Sequence, residues 1–106
     1  MKFNPLIPEL TVADIETTRA FYTGVLRFKV EYERPEDRFI FLSLEGNQLM
    51  FEQENGHWRV GALEHPYGRG VNFEMTVNRY RQGGEDIVQR EFLVQDPDGY
   101  LLRFTD

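Results

Sequence analysis

Polar and apolar residues alternate early in the chain. In PELTV, residues 8–12, Glu9 and Thr11 separate Leu10 and Val12, the period of a strand with one buried face. Asp14 then stands as an N-cap before IETTRAFYTG, where Ile15, Thr18, Phe21 and Tyr22 fall at helical spacing and Gly24 is placed to end the helix. The pattern predicts an amphipathic helix of about two to three turns lying on a sheet. In FKVEYER, residues 28–34, Phe28, Val30 and Tyr32 alternate with charged residues until Pro35 stops the run. RFIFLSLEGNQLMFEQ, residues 38–53, reads as two more strands joined by the turn EGN. Residues 54–70 carry four glycines and a proline and read as a linker loop.

Beyond the linker the pattern returns. NFEMTV, residues 72–77, repeats the order Glu, large apolar, Thr, Val of IPELTV, residues 7–12, at an offset of 65. LLR, residues 101–103, lines up with LMF, residues 49–51, at an offset of 52, each after a glycine-containing turn, so the second copy is shorter by 13 residues. The shortening falls where a second helix belongs, because VNRYRQGG has neither apolar periodicity nor a cap. Either this copy has no helix or residues are absent between Asn78 and Arg79. The second is favoured, since a sheet without its helix would expose Phe73, Met75 and Val77. A duplicated unit of this kind buries its apolar face against its copy.

Bulk properties narrow the class of function. A chain of 106 residues makes one domain with a modest core, and chains of this size gain stability by dimerising. No apolar run approaches the roughly 20 residues of a membrane-spanning helix. Pro5, Pro8 and Glu9 interrupt the N-terminal stretch, which therefore lacks a secretion signal and predicts a cytoplasmic location. The absence of cysteine excludes disulfides, thiolate metal sites and a thiol nucleophile. A net charge of -6 repels nucleic acid and attracts cationic small molecules, although its main effect is on solubility.

The order strand, helix, three strands, taken twice, with DIETTRAFYTGVLRFKV and REFLVQDPDGYLLRF, resembles the vicinal oxygen chelate superfamily, and within it the bleomycin resistance and glyoxalase-like branch. The resemblance covers nearly the whole chain. It implies an α+β fold of paired βαβββ modules forming a curved, cup-like mixed sheet. Residues 1–53 would be the first module, 54–70 the linker and 71–106 the shortened second module of one domain. One departure lies in VLRF, where the family usually has glycine and this chain has Arg27; if the position needs a positive φ, arginine costs about 1–2 kcal/mol there.

Strand alternation assigns Leu10, Val12, Phe73, Met75, Val77, Leu102 and Phe104 to the core. Ile7, Glu9, Phe51, Asn72, Glu74, Leu101 and Arg103 are left on the opposite face, which the resemblance makes the wall of the cup. Metal-dependent relatives hold a divalent ion there, and the resemblance carries the ligand positions to Ile7, Phe51, Asn72 and Arg103. Two of these offer no lone pair, asparagine is a weak ligand and a guanidinium repels cations, so no metal or cofactor is expected. A one-residue slip would turn Glu52 inward instead of Phe51; with Glu9 and Glu74 it would leave three carboxylates near Arg103, most simply as an Arg–Glu pairing. His57 and His65, eight residues apart in the linker, match no ligand spacing.

Aromatic residues supply a further candidate surface. Phe39, Phe41, Tyr80 and Tyr100 mostly read as core, whereas Trp58 and Tyr67 sit in the linker, free to shape a pocket for a planar or cationic ligand, with Trp58 the favoured of the two. These features predict a metal-free, homodimeric small-molecule-binding protein of the bleomycin-resistance type, which sequesters its ligand and carries no catalytic residue. The first alternative is an enzyme, a metal-dependent glyoxalase-like lyase or isomerase, or a dioxygenase, drawing ligands from Glu9, Glu52 or Glu74. The second is a ligand sensor in which Arg103 fixes a carboxylate.

Overall fold

A computed structural model describes residues 2–78 and 91–106. Strand β1 (Glu9–Val12) leads into helix α1 (Ile15–Arg19), capped as its sequence predicts: Asp14 Oδ1 accepts from the Glu16 amide at 3.0 Å and Oδ2 from the Thr17 hydroxyl at 3.0 Å. The helix does not stop at Gly24. It widens into a π-helical turn over Ala20–Val25, in which the Leu26 amide donates to the Phe21 carbonyl at 3.2 Å. That extra residue turns Val25 out to solvent and brings Leu26 into the core behind Ile15, Thr18 and Tyr22. The reversal falls to Arg27, at φ 68°, in place of the expected glycine stop.

Strands β2 (Lys29–Arg34), β3 (Phe39–Leu44) and β4 (Asn47–Gln53) complete a four-stranded sheet in the order β1-β4-β3-β2, with β1 parallel to β4. Glu45 (φ 47°) and Gly46 (φ 87°) form the two-residue turn between β3 and β4, the mirror-image geometry that suits a tight hairpin. After the linker, β5 (Asn72–Thr76), β6 (Glu91–Gln95) and β7 (Leu101–Thr105) form a second sheet in the order β5-β7-β6, with β5 parallel to β7. Among the described residues this is the first sheet's order less one strand. The expectation about a second helix after Asn78 falls on residues outside those described.

The strand registers measure the repeat. Glu9 pairs with Met50 and Glu74 with Arg103, giving offsets of 65 and 53, so the second copy is shorter by 12 residues rather than 13. The one-residue difference changes the face on which β4's side chains lie. Phe51 pairs with Leu10 inside the core, fully buried, its ring 4.6 Å from that of Tyr22, and Met50 and Glu52 take the cup face. The assignment of Phe51 to the cup is therefore corrected. Of the other predicted core residues, Leu10, Val12, Met75, Val77, Leu102 and Phe104 are buried and Phe73 is half-buried, in one apolar cluster spanning both sheets.

The turn at residues 96–99 ties the two sheets together. Asp96 is buried; its Oδ1 accepts from the amides of Asp98 at 2.9 Å and Tyr100 at 2.8 Å, and its Oδ2 from the Tyr22 hydroxyl at 2.6 Å. Asp98 Oδ1 accepts from the Ala13 amide at 2.9 Å, and the Tyr100 hydroxyl donates to the Thr11 carbonyl at 2.8 Å. The linker's second half closes over this turn: the Tyr67 amide donates to the Asp98 carbonyl at 2.7 Å, and His65 Nε2 lies 3.0 Å from the Pro97 carbonyl. Gly68 is required here, because a Cβ would lie 2.5 Å from the Gly99 carbonyl oxygen.

Burial raises the carboxyl pKa of both Asp96 and Asp98, against the opposing effect of their hydrogen bonds. It also pushes the Tyr100 hydroxyl up to about 12, with Asp98 and Asp96 adding to the effect. A raised carboxyl pKa means that the folded state binds more protons than the unfolded state between 3.8 and the folded value. The contribution to stability is then complete below the unfolded pKa and is lost as pH rises through the folded one. As pH rises from about 4 the urea midpoint is expected to lose more in the parent than in Asp96→Asn; an equal or larger loss in the variant contradicts the assignment. At Arg27 the left-handed backbone is relieved by glycine, so Arg27→Gly is expected to stabilise the fold by about 1 kcal/mol in urea denaturation. A loss of stability of that size would show that the Arg27 side chain outweighs its backbone strain.

Candidate functional site

The cup face of the second sheet centres on Arg103. Its register neighbours are Glu74 on β5 and Leu93 on β6, with Glu91 two residues along β6, opposite Thr105. The guanidinium donates to both Glu91 oxygens, from Nε at 3.2 Å and Nη2 at 3.3 Å; Nη2 also reaches Glu74 at 3.4 Å and Nη1 the Asn72 side-chain oxygen at 3.3 Å. Glu91, through its hydrogen bonds and charge, favours the charged guanidinium. One cation and two carboxylates leave this patch with a formal charge of -1. Asn72, Glu74 and Arg103 share a face, as strand alternation predicts, with Leu101 half-buried beside Asn72. Glu91 was not foreseen, although the alternation of EFLVQ is the signal that would have placed it.

The cup face of the first sheet is built in rows that cross the strands. One row runs Arg34, Phe39, Glu52, Thr11; the next runs Tyr32, Phe41, Met50, Glu9. A bulge between Val30 and Tyr32 lets β2 place Tyr32 on this face. Burial raises the Glu9 pKa, the Glu52 carboxylate raises it further, and Arg34 partly offsets both. Two carboxylates thus share a face with a band of aromatic rings.

The ligand positions implied by the resemblance are, by register, Ile7, Met50, Asn72 and Arg103. Ile7 is half-buried, Met50 offers only a thioether, and Arg103 already carries its charge into a ring of Glu91, Glu74 and Asn72. This donor set does not fit a divalent ion, which takes oxygen and imidazole ligands. No group of three histidines or carboxylates suited to a metal occurs among the described residues.

Trp58 is 80% exposed, at φ 59°, and with His57 borders a shallow hollow in the linker, away from the sheet rows. Another hollow, of about 340 Å³, lies between Asp14, Arg19, Glu33, Arg38, Phe39 and Gln53. It is not the cup, and Arg19 is committed there to Glu16 and Glu33. No helix of the described residues is long and apolar enough to cross a membrane.

No protein-family model matches the chain, and no curated protein matches it. Solved structures do. TioX from Micromonospora sp. ML1 is 20% identical, with 97% of this chain and 98% of that chain covered and a TM-score of 0.71. The bleomycin-binding protein of bleomycin-producing Streptomyces verticillus, solved with copper(II)-bleomycin, is 20% identical over 98% and 96% of the two chains, with a TM-score of 0.60. These two share the fold. A glyoxalase/bleomycin resistance protein/dioxygenase superfamily member from Vibrio splendidus 12B01 is 34% identical, covering 92% of this chain and 93% of that chain, with a TM-score of 0.43. With the strand orders above, the likeness to the first two of these structures shows that the chain has the vicinal oxygen chelate fold.

Proposed function

We propose that the protein is a metal-free small-molecule-binding member of its superfamily, which sequesters a cationic, aromatic ligand and does not transform it. The observation that carries this reading is Arg103. It stands where the resemblance puts a metal-binding carboxylate, and its guanidinium is held by Glu91, Glu74 and Asn72. A divalent ion at that position would face a fixed positive charge.

Both cup faces carry carboxylates, Glu74 and Glu91 on one sheet and Glu9 and Glu52 on the other. Together with the net charge of -6 they favour a cation, and the exposed ring of Tyr32 offers it a flat face. The bleomycin-binding protein, solved with copper(II)-bleomycin, is a precedent on this fold for holding a small molecule. The reading places the ligand in a groove completed by a second copy of the chain, with Ile7, Glu9, Asn72, Glu74, Leu101 and Arg103 on its walls and Trp58 at its edge. It also keeps the protein in the cytoplasm as a homodimer.

Titration with proflavine, a planar cation, and with 2-naphthalenesulfonate, a planar anion, tests the reading. Proflavine is expected to bind about tenfold tighter at low salt, with the preference shrinking as salt is added. Preference for the anion would overturn it in favour of a sensor that uses Arg103 to fix an acid. About one tightly held divalent ion per chain, in protein purified without chelators, would overturn it in favour of the lyase or dioxygenase reading.

A further inference from the structure

Phe39 and Phe41 lie on the cup face, away from the helix, yet both are buried. Their cover is built from the same face and from the N-terminal segment. The Tyr32 ring stacks on Phe41 with centroids 5.3 Å apart and planes 9° from parallel, and the Arg34 guanidinium sits 4.0 Å over the Phe39 ring. Phe3 also packs on Phe41, edge-on at 5.5 Å.

Phe3 is held there by its neighbours. The Gln48 side chain bonds the segment twice, its oxygen accepting from the Asn4 amide at 2.7 Å and its nitrogen donating to the Lys2 carbonyl at 2.7 Å. The Asn4 side chain donates to the Gly46 carbonyl at 2.8 Å in the β3–β4 turn. Residues 2–4 therefore lie across the sheet as a short strap pinned by side chains, without joining a strand ladder. Phe3 itself remains 54% exposed, so its ring has cover on one side only.

Such a contact is weak enough to exchange. A ring seated edge-on with half its surface in water contributes little, and the strap's bonds at Gln48 and Asn4 do not depend on that ring. A planar ligand laid on Phe41 would find Tyr32 and Met50 beside it in the same row. A positive group carried over Met50 would lie one strand from Glu9, in the same row, and one row from Glu52 on the same strand.

We propose that Phe3 is a built-in occupant of an aromatic subsite on the first sheet, formed by Tyr32, Phe39 and Phe41, and that the ring of a planar aromatic cation displaces it. The inference rests on the sequestration reading above, since it names where in the cup the aromatic part of the ligand sits.

Proflavine titration of Phe3→Ala tests it. Removing the occupant is expected to tighten proflavine about threefold to tenfold, the range that a ring–ring contact spans. Gln48→Ala, which releases the strap by another route, is expected to act in the same direction. Binding by the wild type with unchanged or weaker binding by both variants would overturn the subsite and leave sequestration standing. Binding by Phe3→Ala but not by the wild type would support the subsite, with the strap as a full block. Failure of all three proteins to bind would overturn both.

Discussion

The hydrogen bond from the Tyr22 hydroxyl to the Asp96 carboxylate, 2.6 Å long and buried, fixes how the two sheets sit together. Tyr22 comes from the first module's helical segment and Asp96 from the turn before the last strand, so the bond joins parts of the chain separated by 74 residues. Asp96 can serve it because two backbone amides of its own turn hold the other carboxylate oxygen. Asp98 and Tyr100 then extend the connection to Ala13 and Thr11 beside β1. A polar cluster in a dry interior is costly unless every atom is paired, and no buried side-chain atom among the described residues lacks a partner. The arrangement therefore acts as a specific lock on geometry, with burial of Tyr22, Phe51, Leu102 and Phe104 supplying the cohesion around it.

The cup depends on that lock because its chemistry comes from strand parity. Once Glu9 is opposite Met50 and Glu74 is opposite Arg103, every second residue of each strand is committed to the cup or the core. Carboxylates, rings and the guanidiniums of Arg34 and Arg103 then lie on the cup faces without any loop having to place them. The same parity that delivers Arg103 to Glu91 and Glu74 excludes the carboxylate that a metal would need at that position.

Much of this was legible from the residues. Short-range patterns carried the strands, the Asp14 cap and the repeat, since each is written in neighbouring side chains. Arg103 with Glu74 was legible because parallel copies share a period. What escaped was set by geometry that leaves no local trace. One residue in the pairing of β4 decides between Phe51 and Met50, and hydrophobic alternation cannot choose when LMF is apolar at all three positions. The π-helical turn that moves the helix end from Gly24 to Val25 has no composition signature, although Arg27 in a glycine position was a warning of the reversal that follows. Phe39 and Phe41 are buried, as their place in a hydrophobic strand suggests, but on the cup face rather than in the cluster beneath the helix, and a run apolar at every position, FIFL, does not say which.

If this bond sets the relation of the sheets, Tyr22 and Asp96 are energetically coupled, and a double-mutant cycle measures that coupling. Tyr22→Phe, Asp96→Ala and the combined variant, compared with the parent by urea denaturation, are expected to give a coupling energy of about 1.5–3 kcal/mol, the range for a hydrogen bond to a charged group. A coupling below about 0.5 kcal/mol would mean that the two residues contribute independently, and that something other than this bond sets the relation of the sheets.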